Sequence, residues 1–199
     1  NKTQPYQYAE YSIFVAEVAS MFNEELLFRY LYERAESVDE KCYLLNQKID
    51  DIRATLFRQT QFAEFELKLH ELGEKGVPLT PAVLKKEYRE LNTKYYGKAL
   101  TIDDELDVEF LRIPHFYSNF YVYQYATGVS AAHALVEHVI EGGEQARQDY
   151  LKFLSSGSSV YPLELLKMAG VDMKQSSPIQ KLVDHFDALV KKLGALLKK

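Results

Sequence analysis

The chain has 199 residues, 47% of them hydrophobic, which is enough for one good core and at most two small domains. Its 24 basic and 29 acidic residues give a net charge of -5, so there is no electrostatic reason to expect nucleic acid as a partner. No apolar stretch approaches the roughly 20 residues that a membrane span needs, and we expect no membrane partner. A single cysteine, Cys42, cannot form an internal disulfide, which favours a reducing, cytoplasmic location.

Helical patterns dominate the first half of the chain. Residues 11–35 contain neither Pro nor Gly and are rich in Ala, Leu, Phe and Glu, which predicts a long first helix. Ser37, three residues before Glu40, forms a capping box that predicts the start of a second long helix over residues 38–72. Thr80, followed by a proline, predicts the start of a third. We expect these long helices to pack antiparallel, joined by short turns.

The second half of the chain is also predicted to be helical, after an interruption. The pattern breaks between residues 96 and 114, where an acidic run indicates a loop with at most one short helix. Further helices are predicted over residues 119–140, 144–154, 162–168 and 178–197. Strand signals are almost absent and there is no internal repeat. The sequence therefore predicts an all-α fold and a single helical domain over residues 1–199.

The most informative residue is Glu17, a carboxylate within an apolar stretch of the first helix. Three of its four neighbours at i±3 and i±4 are apolar, and burying a carboxylate costs several kcal/mol unless cations or donors compensate it. Glu24 follows two helical turns later and returns to the same face. Two acids on such a stripe indicate a bound metal ion or a basic partner. The alternative is a helix rotated so that both carboxylates reach solvent at an edge.

A histidine and several tyrosines cluster around the start of the helix predicted from residue 119. Tyr117, Tyr121 and Tyr125 follow His115 at i, i+4 and i+8, which would form one stripe of phenols, whereas Tyr123 points elsewhere. A tyrosine hydroxyl is a neutral donor suited to a developing oxyanion, and an imidazole can bind a substrate carbonyl or donate a proton. The alternative is that these tyrosines pack against neighbouring helices with their hydroxyls at the surface.

Three stretches, in order, resemble the thimet oligopeptidase and oligoendopeptidase F group of zinc metallopeptidases: YSIFVAEVASMFNE at residues 11–24, IPHFYSNFYVYQYATG at residues 113–128 and PLELLKMAGVD at residues 162–172. The resemblance covers nearly the whole chain. It implies the C-terminal part of a zincin-type helical catalytic domain with one Zn²⁺ per complete enzyme. It also implies an endopeptidase that hydrolyses internal bonds of short, unstructured peptides.

The resemblance implies a role for each of the two acids. Glu17 matches the third protein ligand of the catalytic zinc, and Glu24 matches the second acid of the pattern, behind the ligand. The His-Glu-x-x-His segment, which supplies two zinc ligands and the general base, is absent from these 199 residues. In the family it lies just upstream. We therefore expect the missing N-terminal part of the same enzyme to be a partner, and we expect this chain alone to hold no Zn²⁺ and to be inactive.

The resemblance also implies that His115 and Tyr121 contact substrate and stabilise the tetrahedral intermediate. The family's second tyrosine falls on Gly128 of this chain, so Tyr125 or Tyr117 would take its role. The remaining histidines are interpreted as structural. These are His70, His133, His138 and His185. His133 and His138 are five residues apart, which is the wrong phase for a shared helical metal site.

The alternative function belongs to another class. It is a non-catalytic helical scaffold or peptide-binding module that retains the peptidase fold without its chemistry. A tyrosine-rich helical surface could bind an extended peptide without zinc. An upstream His-Glu-x-x-His segment would decide in favour of the peptidase.

Overall fold

A computed structural model describes residues 2–98 and 100–198 of the chain. Within these ranges the secondary structure is helical and contains no β-strand, which confirms the all-α prediction. The α-helices are α1 (Ile13–Arg34), α2 (Val38–Ile52), α3 (Arg58–Glu74), α4 (Pro81–Tyr96), α5 (Tyr123–Ser155), α6 (Pro162–Met168) and α7 (Ser177–Leu196). Short 3₁₀ segments cover Tyr6–Tyr8, Asp104–Arg112 and Pro114–Tyr117, and a π-helical turn covers Arg53–Phe57.

Side-chain caps start two of these helices as the sequence predicts. The Ser37 hydroxyl accepts the Glu40 backbone N–H at 3.1 Å, and the Glu40 carboxylate accepts the N–H of Glu36 at 3.1 Å. At α4, the Thr80 hydroxyl accepts the Val83 N–H at 3.4 Å, with proline in the first turn. Each cap satisfies a backbone donor that has no partner within its own helix.

The helix predicted over residues 38–72 is interrupted. A π-helical turn separates α2 from α3, and α3 continues to Glu74. Neither Pro nor Gly lies near this turn, so the local sequence carries no breaker that would predict it. The short helix α6 agrees with its predicted range, and α7 lies within a residue of its own at each end.

Contacts within the chain divide it into two compact units. Unit 1 comprises Asn1–Arg53 and Thr127–Lys199, and unit 2 comprises Ala54–Ala126. The expectation of a single domain over residues 1–199 stays a prediction, because a division by contacts does not show whether either unit folds alone.

The core of unit 1 lies between α1, α5 and α6. Phe22 of α1 stacks on Tyr150 of α5, with ring centroids 3.8 Å apart. Small residues such as Ala131 and Ala132 on α5 let the helix backbones approach closely. The same core contains Leu135 and the fully buried Leu166 of α6. Helix α7 packs on α2 in the same unit, and α1 contacts α2 across a three-residue connection, as in an αα-hairpin.

The core of unit 2 is aromatic. Phe65 packs edge-on against the buried Tyr88, with ring centroids 5.0 Å apart, and Phe110 from the 3₁₀ segment completes the cluster. The Tyr88 hydroxyl donates to the Glu109 carboxylate at 2.8 Å, which also accepts from Arg58 at 2.6 Å. Burial, together with the bond to Glu109, raises the pKa of Tyr88.

Helix α5 differs from its predicted range at both ends. It begins at Tyr123, not at residue 119, because residues 118–122 form a turn. It runs on to Ser155 through a kink at Gly143, whose φ of 63° and ψ of -143° are not helical. The predicted break between two helices is therefore present as a bend at a glycine, the residue that adopts positive φ at little cost.

Among the described residues, no helix is both long enough and apolar enough to cross a membrane.

Candidate functional site

Glu17 lies in the first turns of α1, half-buried at the margin of the unit 1 core. The next side chain into the core is Val18, which is fully buried. The Ser20 hydroxyl lies 3.3 Å from the Glu17 carboxylate and donates to the Glu17 carbonyl at 3.0 Å. Within residues 2–98 and 100–198, no lysine, arginine or histidine forms an ion pair with Glu17. This carboxylate therefore retains the capacity to bind a cation.

Helix α5 approaches Glu17 at a glycine. A Cβ atom placed on Gly128 would lie 3.7 Å from the Cβ of Glu17 and 3.9 Å from the sulfur of Met21. These are ordinary van der Waals distances, so alanine would fit but a larger side chain would press on Glu17 or Met21. The backbone of α5 at Gly128 therefore lies close to the candidate ligand Glu17.

The two acids at positions 24 and 25 have opposite environments. Glu24 is exposed, whereas Glu25 is only 3% exposed. Successive residues are about 100° apart around a helix, so the next residue faces the core. The buried acid of this helix is therefore Glu25, and neither Glu17 nor Glu24, the two acids that the sequence indicated, is fully buried. The sequence indicates the burial of Glu25 only weakly, because the residues around it include both polar and apolar ones.

Two cations compensate the buried Glu25 carboxylate. Arg29 Nε lies 2.9 Å from one oxygen, and Lys48 Nζ, from α2, lies 2.6 Å from the other. Burial opposes the ionisation of Glu25, but Lys48 and Arg29 outweigh it and lower the pKa to about 2. Arg29 also pairs with Glu137 on α5. The two carboxylates, Glu25 and Glu137, and the two cations, Arg29 and Lys48, give this cluster a net charge of zero.

Two histidines face the same carboxylate. His133 Nδ1 on α5 and His185 Nε2 on α7 lie 3.8 and 3.7 Å from Glu25 Oε1, and the imidazole rings are 4.5 Å apart. Both nitrogens are buried and have no hydrogen-bond partner within the described residues. Burial, and then the neighbouring His185, lower the pKa of His133 to about 4; burial also lowers the pKa of His185. Both rings are therefore neutral at pH 7.

Unit 2 contains the predicted imidazole and phenols in one cluster. The Tyr125 hydroxyl lies 3.2 Å from His115 Nε2. The ring of Tyr121 lies 5.3 Å from that of His115 and 5.7 Å from that of Tyr125. All three side chains are half-buried, whereas Tyr117 is 92% exposed. Such a cluster offers several donors at a solvent-accessible edge.

The helical stripe that suggested this cluster is wrong. Tyr117 ends a 3₁₀ segment and Tyr121 lies in the turn before α5, so only Tyr125 belongs to that helix. Phe120 adopts a φ of 56°, a conformation in which a bulky residue is strained. This turn, not helical register, brings Tyr121 against His115.

A buried acid holds the strained turn. The Phe120 N–H donates to the Glu66 carboxylate of α3 at 2.8 Å, and Glu66 is 5% exposed. The His70 ring packs on the Phe120 ring, with centroids 4.6 Å apart. Backbone strain of this kind persists only where surrounding contacts impose it, and it concentrates at functional sites. No local signal in the sequence links Glu66 to a turn 54 residues later.

An apolar cleft of about 650 Å³ opens beside this segment in unit 2. Its walls include the residues that flank His115, namely Ile113, Phe116 and Tyr117, together with Phe65, Leu69 and Phe110. Glu66, His70 and Glu74 contribute polar groups to it. Clefts of this size with few polar groups are typical of small-ligand or side-chain pockets.

The sequence from residue 70 to 74, HELGE, differs from a His-Glu-x-x-His motif only at its last position, Glu74. It begins at His70, whose ring packs on Phe120, and Glu74 is exposed. No third His, Cys, Asp or Glu of the described residues completes a metal-binding group there. This segment therefore does not replace the absent motif.

Comparisons with known proteins give one family. A sequence profile described as Peptidase family M3 matches residues 1–184. Oligopeptidase PepF of Bacillus subtilis (strain 168) is 48% identical over 198 residues, covering 100% of this chain and 30% of that protein. An oligoendopeptidase F homolog of Lactococcus lactis subsp. lactis (strain IL1403) is 45% identical over 198 residues, which are 100% of this chain and 33% of that protein. The chain thus spans about a third of the length of these relatives.

Solved structures agree with the sequence comparisons. The crystal structure of oligoendopeptidase-F from Enterococcus faecium matches with a TM-score of 0.87 and 45% identity, over 93% of this chain and 36% of that chain. The crystal structure of a putative peptidase from Chlamydophila abortus matches with a TM-score of 0.90 and 44% identity, over 98% of this chain and 33% of that chain.

Proposed function

Because this chain belongs to peptidase family M3, we propose that it is the C-terminal part of a zinc endopeptidase that cleaves short, unstructured peptides. Its proposed contributions are one zinc ligand, Glu17, and the substrate-binding groups His115 and Tyr121. The observation that carries the proposal is that the half-buried Glu17 carboxylate has no cation among the described residues, while Glu25 on the same helix has two. Relatives named oligoendopeptidase F support the substrate class.

The residues around Glu17 fit a zinc ion. A carboxylate oxygen is a standard zinc ligand, and the hydrogen bond that the Glu17 carboxylate accepts from the Ser20 hydroxyl, at 3.3 Å, is weak. When bound, zinc polarises the scissile carbonyl and lowers the pKa of its bound water to near 7. A catalytic zinc needs three protein ligands, and the His-Glu-x-x-His motif is absent from these 199 residues. We therefore propose that this chain alone is inactive.

The aromatic cluster supplies donors for the reaction. In the proposed reaction the Tyr121 hydroxyl donates to the oxyanion that develops on the substrate carbonyl. Tyr125 acts through His115, because its hydroxyl lies within hydrogen-bond distance of His115 Nε2 and fixes the orientation of the ring. In this proposal His115 and Tyr121 contact the substrate, and Tyr125 is a positioning residue. Glu24, which is exposed and outside the core, is proposed as the second acid, which supports the ligand Glu17.

The test of Glu17 uses the complete protein that carries this chain. Glu17→Gln keeps the size of the side chain but removes the anion, so zinc content should fall by one ion per chain and activity on an internally quenched peptide should fall at least about 10²-fold. Glu33→Gln, which changes an exposed acid of the same helix to which the proposal gives no role, is the matched control and should retain the ion. Unchanged zinc content in Glu17→Gln would exclude Glu17 as a ligand.

The alternative, a non-catalytic peptide-binding module, is favoured by the apolar cleft in unit 2. It predicts that the protein binds a fluorescent unstructured peptide in the presence of a chelator and never cleaves it. Cleavage that depends on added zinc and is lost in Glu17→Gln would decide for the peptidase. With the peptidase we also propose a cytoplasmic location, which the single, unpaired Cys42 supports.

A further inference from the structure

We propose that Glu25, His133 and His185 bind a divalent transition-metal ion, at a site separate from Glu17. All three residues belong to unit 1 and come from three helices, α1, α5 and α7. Glu17 and Glu25 are eight residues apart, about 12 Å along the helix axis, so one ion cannot bind both. Nothing in the proposed peptidase mechanism uses the second group.

The geometry suits a metal ion. One ligand atom from each residue lies within 4.8 Å of the other two, and the two measured nitrogen-to-oxygen distances are 3.7 and 3.8 Å. In a tetrahedral zinc site, with bonds of about 2.0–2.1 Å, ligand atoms are about 3.3 Å apart. Small side-chain rotations would therefore close the group around an ion. A direct N–H···O bond at these distances would be too long to form.

The histidines are in the state that a metal requires. Both facing nitrogens are buried without a partner among the described residues, a rare condition for polar atoms in a folded protein. Both rings are held neutral by burial, so a lone pair can point at the gap. Two imidazoles with one carboxylate form a donor set typical of zinc, and also of cobalt, nickel and copper.

The neighbouring cations set the affinity. Arg29 and Lys48 both pair with Glu25, and Glu137 offsets only one of their charges after Glu25 has offset the other. An incoming ion therefore adds two positive charges to a neutral cluster, which limits its affinity. The Lys48 side chain is 12% exposed, which gives its ammonium a route to solvent when an ion takes over the carboxylate. Lys48 is thus a direct competitor of the metal.

The buried position indicates a structural role. The ion would connect α1, α5 and α7 within unit 1, and a water molecule would fill the fourth position that three protein ligands leave on a tetrahedral ion. Binding to the folded state alone would raise the melting temperature of the chain.

The experiment uses the dialysed 199-residue chain with Cys42→Ser, which removes the one thiol that could bind metal adventitiously. Equilibrium dialysis with Zn²⁺ and titration with Co²⁺, followed through its visible d–d absorption, measure stoichiometry and affinity. We expect one ion per chain, which would correct the sequence-based expectation that this chain alone holds no Zn²⁺. His133→Phe and His185→Phe should each weaken binding by at least about 10²-fold, and Lys48→Met should strengthen it roughly tenfold by removing the competing ammonium.

Two control variants test whether the ion binds at this cluster and not elsewhere on the chain. His138→Gln changes a histidine of α5 that lies outside the cluster, and Glu17→Gln changes the proposed catalytic ligand. Both variants should leave the affinity for the metal ion unchanged. A gain of affinity in Lys48→Met cannot come from misfolding. The proposal is overturned if neither the parent chain nor Lys48→Met binds one ion, or if His133→Phe keeps the parent affinity. Loss of binding in Glu17→Gln would instead place the ion at Glu17.

Discussion

Two regions of helix α1 differ in how they compensate the charge of an acidic residue. Around Glu25, the protein supplies Arg29 and Lys48 and completes the compensation itself. Around Glu17, two turns closer to the start of the helix, the part of the chain that the structure describes supplies a serine hydroxyl and no cation. A buried carboxylate with partners within its own unit contributes to stability, whereas a half-buried one without them is available to a ligand. The difference predicts which substitutions damage the fold and which damage function.

The largest expected effect is on stability. Glu25→Gln leaves the half-buried Lys48 without an anion and leaves Arg29 with Glu137 alone, and should lower the free energy of unfolding by about 3–5 kcal/mol. Glu17→Gln removes no internal ion pair and should change it by less than about 0.5 kcal/mol. Urea unfolding followed by circular dichroism measures both. Equal losses in the two variants would contradict the distinction between the two regions.

The second prediction concerns function with the fold intact. Tyr121→Phe in the complete protein keeps the ring and its contacts with His115 but deletes the hydroxyl. If that hydroxyl donates only as charge develops, kcat should fall about 10²–10³-fold with KM little changed. The test measures the kinetics of peptide hydrolysis and, in parallel, the zinc content of the variant. Tyr123→Phe, whose side chain is exposed, is the matched control; an equal loss there would remove Tyr121 from the site.

The third prediction is a loss of stability in acid that originates in the Glu25 cluster. The folded pKa of Glu25 is lowered to about 2, so its stabilisation is complete above pH 4.5 and is lost as the pH falls from there towards 2. The folded pKa of His133 is lowered to about 4, so the unfolded chain binds more protons below pH 6.5 and stability already declines between pH 6.5 and 4. Each shift corresponds to about 3 kcal/mol.

Unfolding free energies measured from pH 8 to pH 3 would show this profile. In His133→Asn the decline between pH 6.5 and 4.5 should be shallower than in the parent, because the His133 component is gone while those of His185 and Glu25 remain. A variant that still loses stability between pH 6.5 and 4.5 as the parent does would show that other groups cause the decline.

The smallest expected effect concerns Glu66, the second buried acid among the described residues, which accepts a hydrogen bond from the backbone. Glu66→Ala removes the acceptor of the Phe120 N–H and should cost about 1–3 kcal/mol of stability, the range for a buried donor left unsatisfied. It should also lower kcat about tenfold by releasing the turn that places Tyr121. Glu66→Gln keeps an acceptor and should restore most of both. If the alanine and glutamine variants had the same kcat, Glu66 would have no positioning role.

Predictability from sequence depended on the range of the interactions involved. The helix starts at Ser37 and Thr80 were predictable because a cap is a contact between residues three apart. The π-helical turn at Arg53–Phe57 and the late start of α5 were not, because no residue in those segments forbids a regular α-helix. The roles of Glu17, His115 and Tyr121 came from resemblance to a family and stay predictions.

The sequence by itself determined that this protein is all-α, where most helices begin and end, and the family to which it belongs, because periodicity, caps and long matching segments are properties of neighbouring residues. Tertiary structure alone decided the pairing of His133 with His185, the burial of Glu25 instead of Glu24, and the strained turn held by Glu66. These depend on contacts between residues as many as 160 positions apart, as between Glu25 and His185. Helical periodicity shows which residues share a face, but packing decides which faces meet.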